Sequence, residues 1–163
     1  MGSPLAPVLA NIFMGHHEKR WLDNYNSGTE FYRRYVDDTF ALFNTQLRAL
    51  SFYSYINTQH PNNKFTLQRE ENHKLPFLDI LLDNNSNQGI ITSVFHKKTY
   101  TGVLTNFYSF VSFSYKSGFV RTLVDRTFKI KNTWAGFHLD INNLTKTLRK
   151  NLLPSNVNEN VVR

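Results

Sequence analysis

The sequence has no cysteine in its 163 residues. A disulfide framework and a cysteine zinc site are therefore both excluded. Long apolar runs are missing as well: no stretch approaches the roughly 18 residues a membrane-spanning helix needs. The opening residues, MGSPLAPVLANIFMGHH, lack the basic n-region of a secretory signal. No internal repeat is present. Acid is also scarce, with 12 Asp/Glu against 19 Lys/Arg, a net charge of +7. The shortage is uneven. Residues 1–83 hold 8 basic and 9 acidic side chains, whereas residues 84–163 hold 11 and 3.

What is abundant is aromatic and apolar. Hydrophobic residues make up 40% of the chain and aromatic ones 15%, including 14 Phe and 8 Tyr. The length suits one domain or part of one, and the composition is that of a globular chain rather than a disordered one. A basic half rich in Tyr and Phe suits a polyanion, with rings available to stack on unpaired bases. A solvated basic face accounts for the same charge without any partner.

Ser3 and Pro4 provide a cap and a first helical position. Leu5, Val8, Leu9, Ile12 and Phe13 then recur at helical spacing. This predicts a helix to about Trp21–Asn24, ended by Asn26-Ser27-Gly28. Glu30–Val36 and Thr39–Phe43 read as strands joined at Asp37-Asp38. Asn44 and Thr45 cap a second helix through about Gln59, with Leu47, Leu50 and Ile56 facing inward, broken by His60-Pro61. Lys64–Glu70 alternates as a strand. Phe77–Leu82 reads as a short buried strand, paired across the turn 84–89 with Ile90–Lys97. A helix opens at Ser117-Gly118 and runs to about Ile130, with Val120, Leu123, Val124, Thr127 and Phe128 as its stripe. Another spans Asp140–Leu153, with Ile141, Leu144, Leu148 and Leu152 inward. Trp21 and Trp134 read as core. The order predicts an α+β fold, an antiparallel sheet with packed helices followed by a helical region.

The chemistry rests on Asp37 and Asp38, adjacent acids in YRRYVDDTFALF. Transfer of a nucleotide to a 3′-hydroxyl uses two divalent ions about 3.5–4 Å apart. Magnesium takes only one or two carboxylates per ion and keeps several waters. A tight strand turn delivers such carboxylates on a rigid backbone. Turn chemistry by itself also favours Asp at these positions. His16-His17 do not form a zinc site, because helical neighbours one apart face different directions.

Tyr35-Val36-Asp37-Asp38 resembles the Tyr-x-Asp-Asp signature of reverse transcriptases. Gly2–Phe13 is similar to the Gly-x-Ser-Pro-x-Leu segment that precedes it there. The tracts Met1–Leu5, Arg34–Phe40, His60–Asn62, Leu75–Asp79 and Arg121–Arg126 together resemble the reverse transcriptase of Penelope-like retroelements, over residues 1 to about 155. The resemblance implies an incomplete domain: a palm portion over 1–100, a basic thumb-like helical segment over 101–155 and a polar tail over 156–163. It implies RNA-directed DNA polymerisation, with an RNA template, a DNA primer, deoxynucleoside triphosphates, magnesium or manganese, and nuclear residence.

The same resemblance assigns roles. Asp37 and Asp38 would be catalytic metal ligands. Lys74 would meet the leaving pyrophosphate. Gly2, Ser3, Pro4 and Tyr35 would line the nucleotide and template. Lys97, Lys98, Arg121, Arg126, Lys129 and Lys131 would hold the nucleic-acid backbone. Such enzymes take a third carboxylate from a strand preceding the Gly-Ser-Pro helix, and neither that strand nor the fingers lies within these residues. The expectation is therefore an inactive isolated chain with Met1 as an internal methionine. An apolar face would be uncovered where that strand belongs, and no attached nuclease of the GIY-YIG kind lies within the chain. A non-catalytic nucleic-acid-binding relic of such an element is the alternative.

Overall fold

A computed structural model of the chain describes residues 3–25, 29–85 and 89–154. The expectations for Gly2, for the helix stop at 26–28 and for the tail 156–163 fall outside these residues, as does part of the turn 84–89. The fold is α+β, with four helices and two small antiparallel sheets. The chain forms two compact units, Met1–Arg69 and Glu70–Arg163.

In the first unit, helix α1 spans Ala6–Asn24. Its start lies two residues later than Ser3-Pro4 suggests. Ser3 Oγ still accepts from Leu5 N–H at 3.3 Å, and Pro7 occupies the first turn. Strands β1 (Thr29–Tyr35) and β2 (Asp38–Phe43) pair antiparallel. Helix α2 spans Gln46–Thr58, and the Thr45 hydroxyl caps it by accepting from Arg48 N–H at 3.3 Å. The core is Trp21, Phe52 and Ile56, backed by Tyr25, Tyr32, Phe43 and Phe65. Burying such side chains contributes about 2 kcal/mol each. Of the residues expected inward, Leu47 and Leu50 are exposed and Ile56 is buried, and Phe52 shares the buried face with it.

Lys64–Glu70 forms no strand. The backbone of Phe65 is satisfied by a side chain rather than by a neighbouring strand. Asn57 Oδ1 accepts from Phe65 N–H at 2.8 Å, and Asn57 Nδ2 donates to Phe65 O at 3.3 Å. The α1 stripe also differs from a buried one: Leu5, Val8, Leu9 and Ile12 are all more than half exposed.

The second unit begins with β3 (Lys74–Phe77), β4 (Ile80–Asp83) and β5 (Ile91–Val94), in the order β3-β4-β5. Phe77–Leu82 is thus not one strand. The chain reverses at Leu78-Asp79, with Leu78 at φ 54° and Phe77 paired to Ile80. Pro76 lies in the edge strand β3, where its missing donor costs no central ladder bond.

Helix α3 spans Phe113–Ile130 and α4 spans Trp134–Lys150. Both start earlier than Ser117-Gly118 and Asp140 suggest: the first residues of α3 are exposed, and in α4 Trp134 and Phe137 extend the spacing of Ile141, Leu144 and Leu148 toward the N-terminus. Strand β5 is tied to the end of α3. The Thr92 hydroxyl donates to Ile130 O, and Asn132 Nδ2 donates to Ile90 O at 2.7 Å. Val120, Leu148 and Leu153 form the core with Leu104, Phe107, Leu123 and Leu144.

The end of α4 explains one misplaced leucine. Leu152 takes φ 64°, Leu152 N–H donates to Arg149 O and Leu153 N–H donates to Leu148 O. This is the Schellman arrangement, with its hydrophobic contact between Leu153 and Leu148. The left-handed residue swings Leu152 into solvent and Leu153 into the core.

Candidate functional site

Strands β1 and β2 pair without interruption from Phe31–Leu42 to Tyr35–Asp38. The turn residues are therefore Val36 and Asp37, and Asp38 already belongs to β2. The turn lies one residue earlier than the acid pair suggests. Val36 sits at φ 56°. A β-branched residue is a genuine outlier there. Asp37 and Asp38 are both exposed, and Tyr35 is exposed beside them.

Alternation along β1 turns Tyr32 and Arg34 inward and Arg33 and Tyr35 outward. The inward pair meets Glu18 of α1. Arg34 Nε donates to Glu18 Oε1 at 2.7 Å, and Tyr32 Oη donates to the same oxygen at 2.8 Å. The second face of the guanidinium completes the clamp. Its Nη2 donates to Asn11 Oδ1 at 2.9 Å, and its Nη1 donates to Val36 O at 2.9 Å. One side chain therefore joins helix, strand and turn apex, and fixes the carbonyl next to Asp37. Burial, the bond to Glu18 and the Glu18 charge push the Tyr32 phenol well above its usual range. It stays protonated and remains a donor. Sequence reasoning missed Glu18 and Asn11. The available signal was their spacing of seven, which puts both on one face of α1.

Ser3 and Pro4 stand at the head of α1 in this same unit. Lys74 and the basic residues belong to the other. Lys74 pairs with Asp83 at 3.5 Å. Lys97, Lys98, Arg121 and Lys129 are exposed. Arg126 pairs with Asp79 at 3.1 Å. Lys131 Nζ lies 3.2 Å from Asp140, and its side chain is only 7% exposed. Its charge is thereby neutralised locally, so it differs from the exposed cations Arg121 and Lys129 of α3. Lys146, Arg149 and Lys150 of α4 are exposed cations that the sequence reading did not single out.

Asp37 in the turn and Asp38 at the start of β2 are both exposed carboxylates, and magnesium takes one or two carboxylates and several waters. Among the described residues, no three His, Asp or Glu side chains gather where they could hold a metal ion. The His17 ring packs against those of Phe13, Trp21 and His60. Among the described residues no helix is long and apolar enough to cross a membrane. Set against family models, curated proteins and solved structures, the chain matches none of them.

Proposed function

We propose that the chain is the palm and thumb portion of an RNA-directed DNA polymerase of the Penelope-like kind. The observation that carries this reading is the turn at Val36-Asp37. A tightly registered hairpin presents Asp37 and Asp38 to solvent, and a buried arginine ties its apex to α1. A metal-dependent nucleotidyl transferase needs carboxylates on such a rigid backbone. Asp37 and Asp38 would hold magnesium, or manganese in its place. Tyr35 would pack beside the primer end, with Gly2, Ser3 and Pro4 opening the helix next to nucleotide and template. Lys74 would meet pyrophosphate. Lys97, Lys98, Arg121, Arg126 and Lys129 would hold the RNA–DNA backbone, while Lys131 is assigned instead to its pair with Asp140.

A second reading is favoured by a specific observation. Among the described residues no further His, Asp or Glu gathers with Asp37 and Asp38 into a group that could hold a metal ion, and under this reading the chain would bind nucleic acid without copying it. Both readings place RNA or an RNA–DNA hybrid on the basic residues, and both predict affinity that falls with salt.

Manganese titration followed by NMR separates them. The first reading expects line broadening centred on Asp37 and Asp38 and lost in Asp37→Asn. Broadening spread evenly over all acids removes the metal role and leaves the binding module. Primer extension on an RNA template is expected to be absent or very weak for this chain under either reading. Hybrid binding unaffected by high salt counts against both.

A further inference from the structure

Trp134 stands at the start of α4 and is 70% exposed. It is not alone. Phe128 of α3 is 59% exposed, and its ring lies 6.4 Å from that of Trp134. Phe137, one turn further along α4, meets both rings edge-on at 5.8 Å. The three rings brace one another and border an open recess of about 190 Å³, which Lys131, Asn132 and Thr133 also line. Rings held edge to face in this way keep a fixed geometry, and the largest of them keeps most of its surface open. The chain's other tryptophan, Trp21, is 3% exposed in the core. The burial expected of Trp134 is therefore not realised.

We propose that Trp134, with Phe128 and Phe137, is a stacking platform for an unpaired nucleobase of single-stranded nucleic acid. The charge of the two helices that carry the rings selects that occupant. Residues 113–150 carry eight Lys/Arg against two Asp. One of those acids, Asp140, is paired with Lys131, which lines the recess. The other, Asp125, is flanked at i−4 and i+4 by the exposed Arg121 and Lys129. Arg126 is paired with Asp79, so among the described residues six of the eight cations have no paired carboxylate. The first turn of α4 contains no acid. An apolar partner surface has no use for such basic helices, whereas a strand of phosphates with splayed bases matches both components. A duplex matches the charge only, because its bases are already stacked. The inference rests on the nucleic-acid reading above and adds the class of strand and the side chains that engage it.

The test uses the full chain at low salt with four probes: short oligo(dT), short oligo(U), an abasic strand of the same length and a blunt duplex. Labelled-strand anisotropy reads affinity, and tryptophan emission reads Trp134, since Trp21 is shielded. Both base-bearing strands should quench emission, and the abasic strand should not. Trp134→Ala should weaken the base-bearing strands about tenfold and leave the duplex unchanged. Trp134→Phe should restore most of the loss, and unchanged circular dichroism shows that the variants fold. If the strands bind but Trp134→Ala binds them equally well, the platform is wrong and the nucleic-acid reading stands. If neither strand nor duplex binds, both fall. Loss of self-association in Trp134→Ala, without loss of strand affinity, identifies the rings as a contact between copies of the chain and overturns the proposal.

Discussion

Arg34 Nε lies 2.7 Å from Glu18 Oε1, and each of the two side chains is only 10% exposed. Removing one partner of such a pair leaves a charge buried without compensation, at a cost of about 3 kcal/mol. Glu18→Gln and Arg34→Met should each lower the urea midpoint. Their combination should be less damaging than the sum, with a coupling of at least about 1 kcal/mol. Simple additivity would show that the pair does not hold the hairpin to α1.

Val36 adopts φ 56°, a conformation that favours glycine. Val36→Gly relieves a left-handed conformation costing about 1–2 kcal/mol and should raise the melting temperature. Val36→Ala keeps a Cβ and should not. Equal melting temperatures for all three would place the hairpin turn elsewhere.

Tyr32 supplies a pH dependence. Its pKa is raised above the usual 10.0, first by burial and then by the bond to Glu18. The folded state therefore binds the phenolic proton more tightly than the unfolded chain does. This contribution is complete below pH 10 and is lost as pH rises beyond it. Alkaline titration by ultraviolet absorbance should show one late-ionising tyrosine, absent in Tyr32→Phe. The stability of Tyr32→Phe should fall less steeply above pH 10 than that of the parent chain.

Asn151 staples the segment before α3 to the end of α4. Its Oδ1 accepts from Leu104 N–H, and its Nδ2 donates to Gly102 O and Thr147 O, each at 2.8 Å. Asn151→Ala should cost about 2–3 kcal/mol and speed proteolysis around residues 101–107. Asn151→Asp keeps the acceptor but loses both donors, so it should fall between. An unchanged cleavage rate in Asn151→Ala would contradict the staple.

Leu9 and Ile12 are 61% and 63% exposed on one face of α1. A contiguous apolar face invites self-association. Leu9→Lys with Ile12→Lys should reduce sedimenting aggregates while changing stability by no more than about 0.5 kcal/mol per site. Aggregation that persists would assign the adhesive surface to another region.

Local chemistry determined much of this molecule in advance. Turn formers, the Thr45 cap and runs of β-forming residues specify the hairpin, α2 and the β4–β5 pairing, because each depends on residues close in the chain. The acid pair Asp37-Asp38 is legible to within one residue, since the flanking strands place it at a turn that the pairing then centres on Val36-Asp37. Tertiary structure decided the rest. Periodicity reports an apolar face but not whether anything covers it, so the stripe containing Leu9 lies open and Trp134, which reads as core, is exposed, while Leu153 is buried through a left-handed residue before it. The Arg34 clamp joins residues 16 and 23 positions apart, a separation over which sequence carries no distance information. The division between free and neutralised cations was hidden for the same reason. Lys129 and Lys131 are near neighbours of equal charge, and only packing brings Asp140 to one of them.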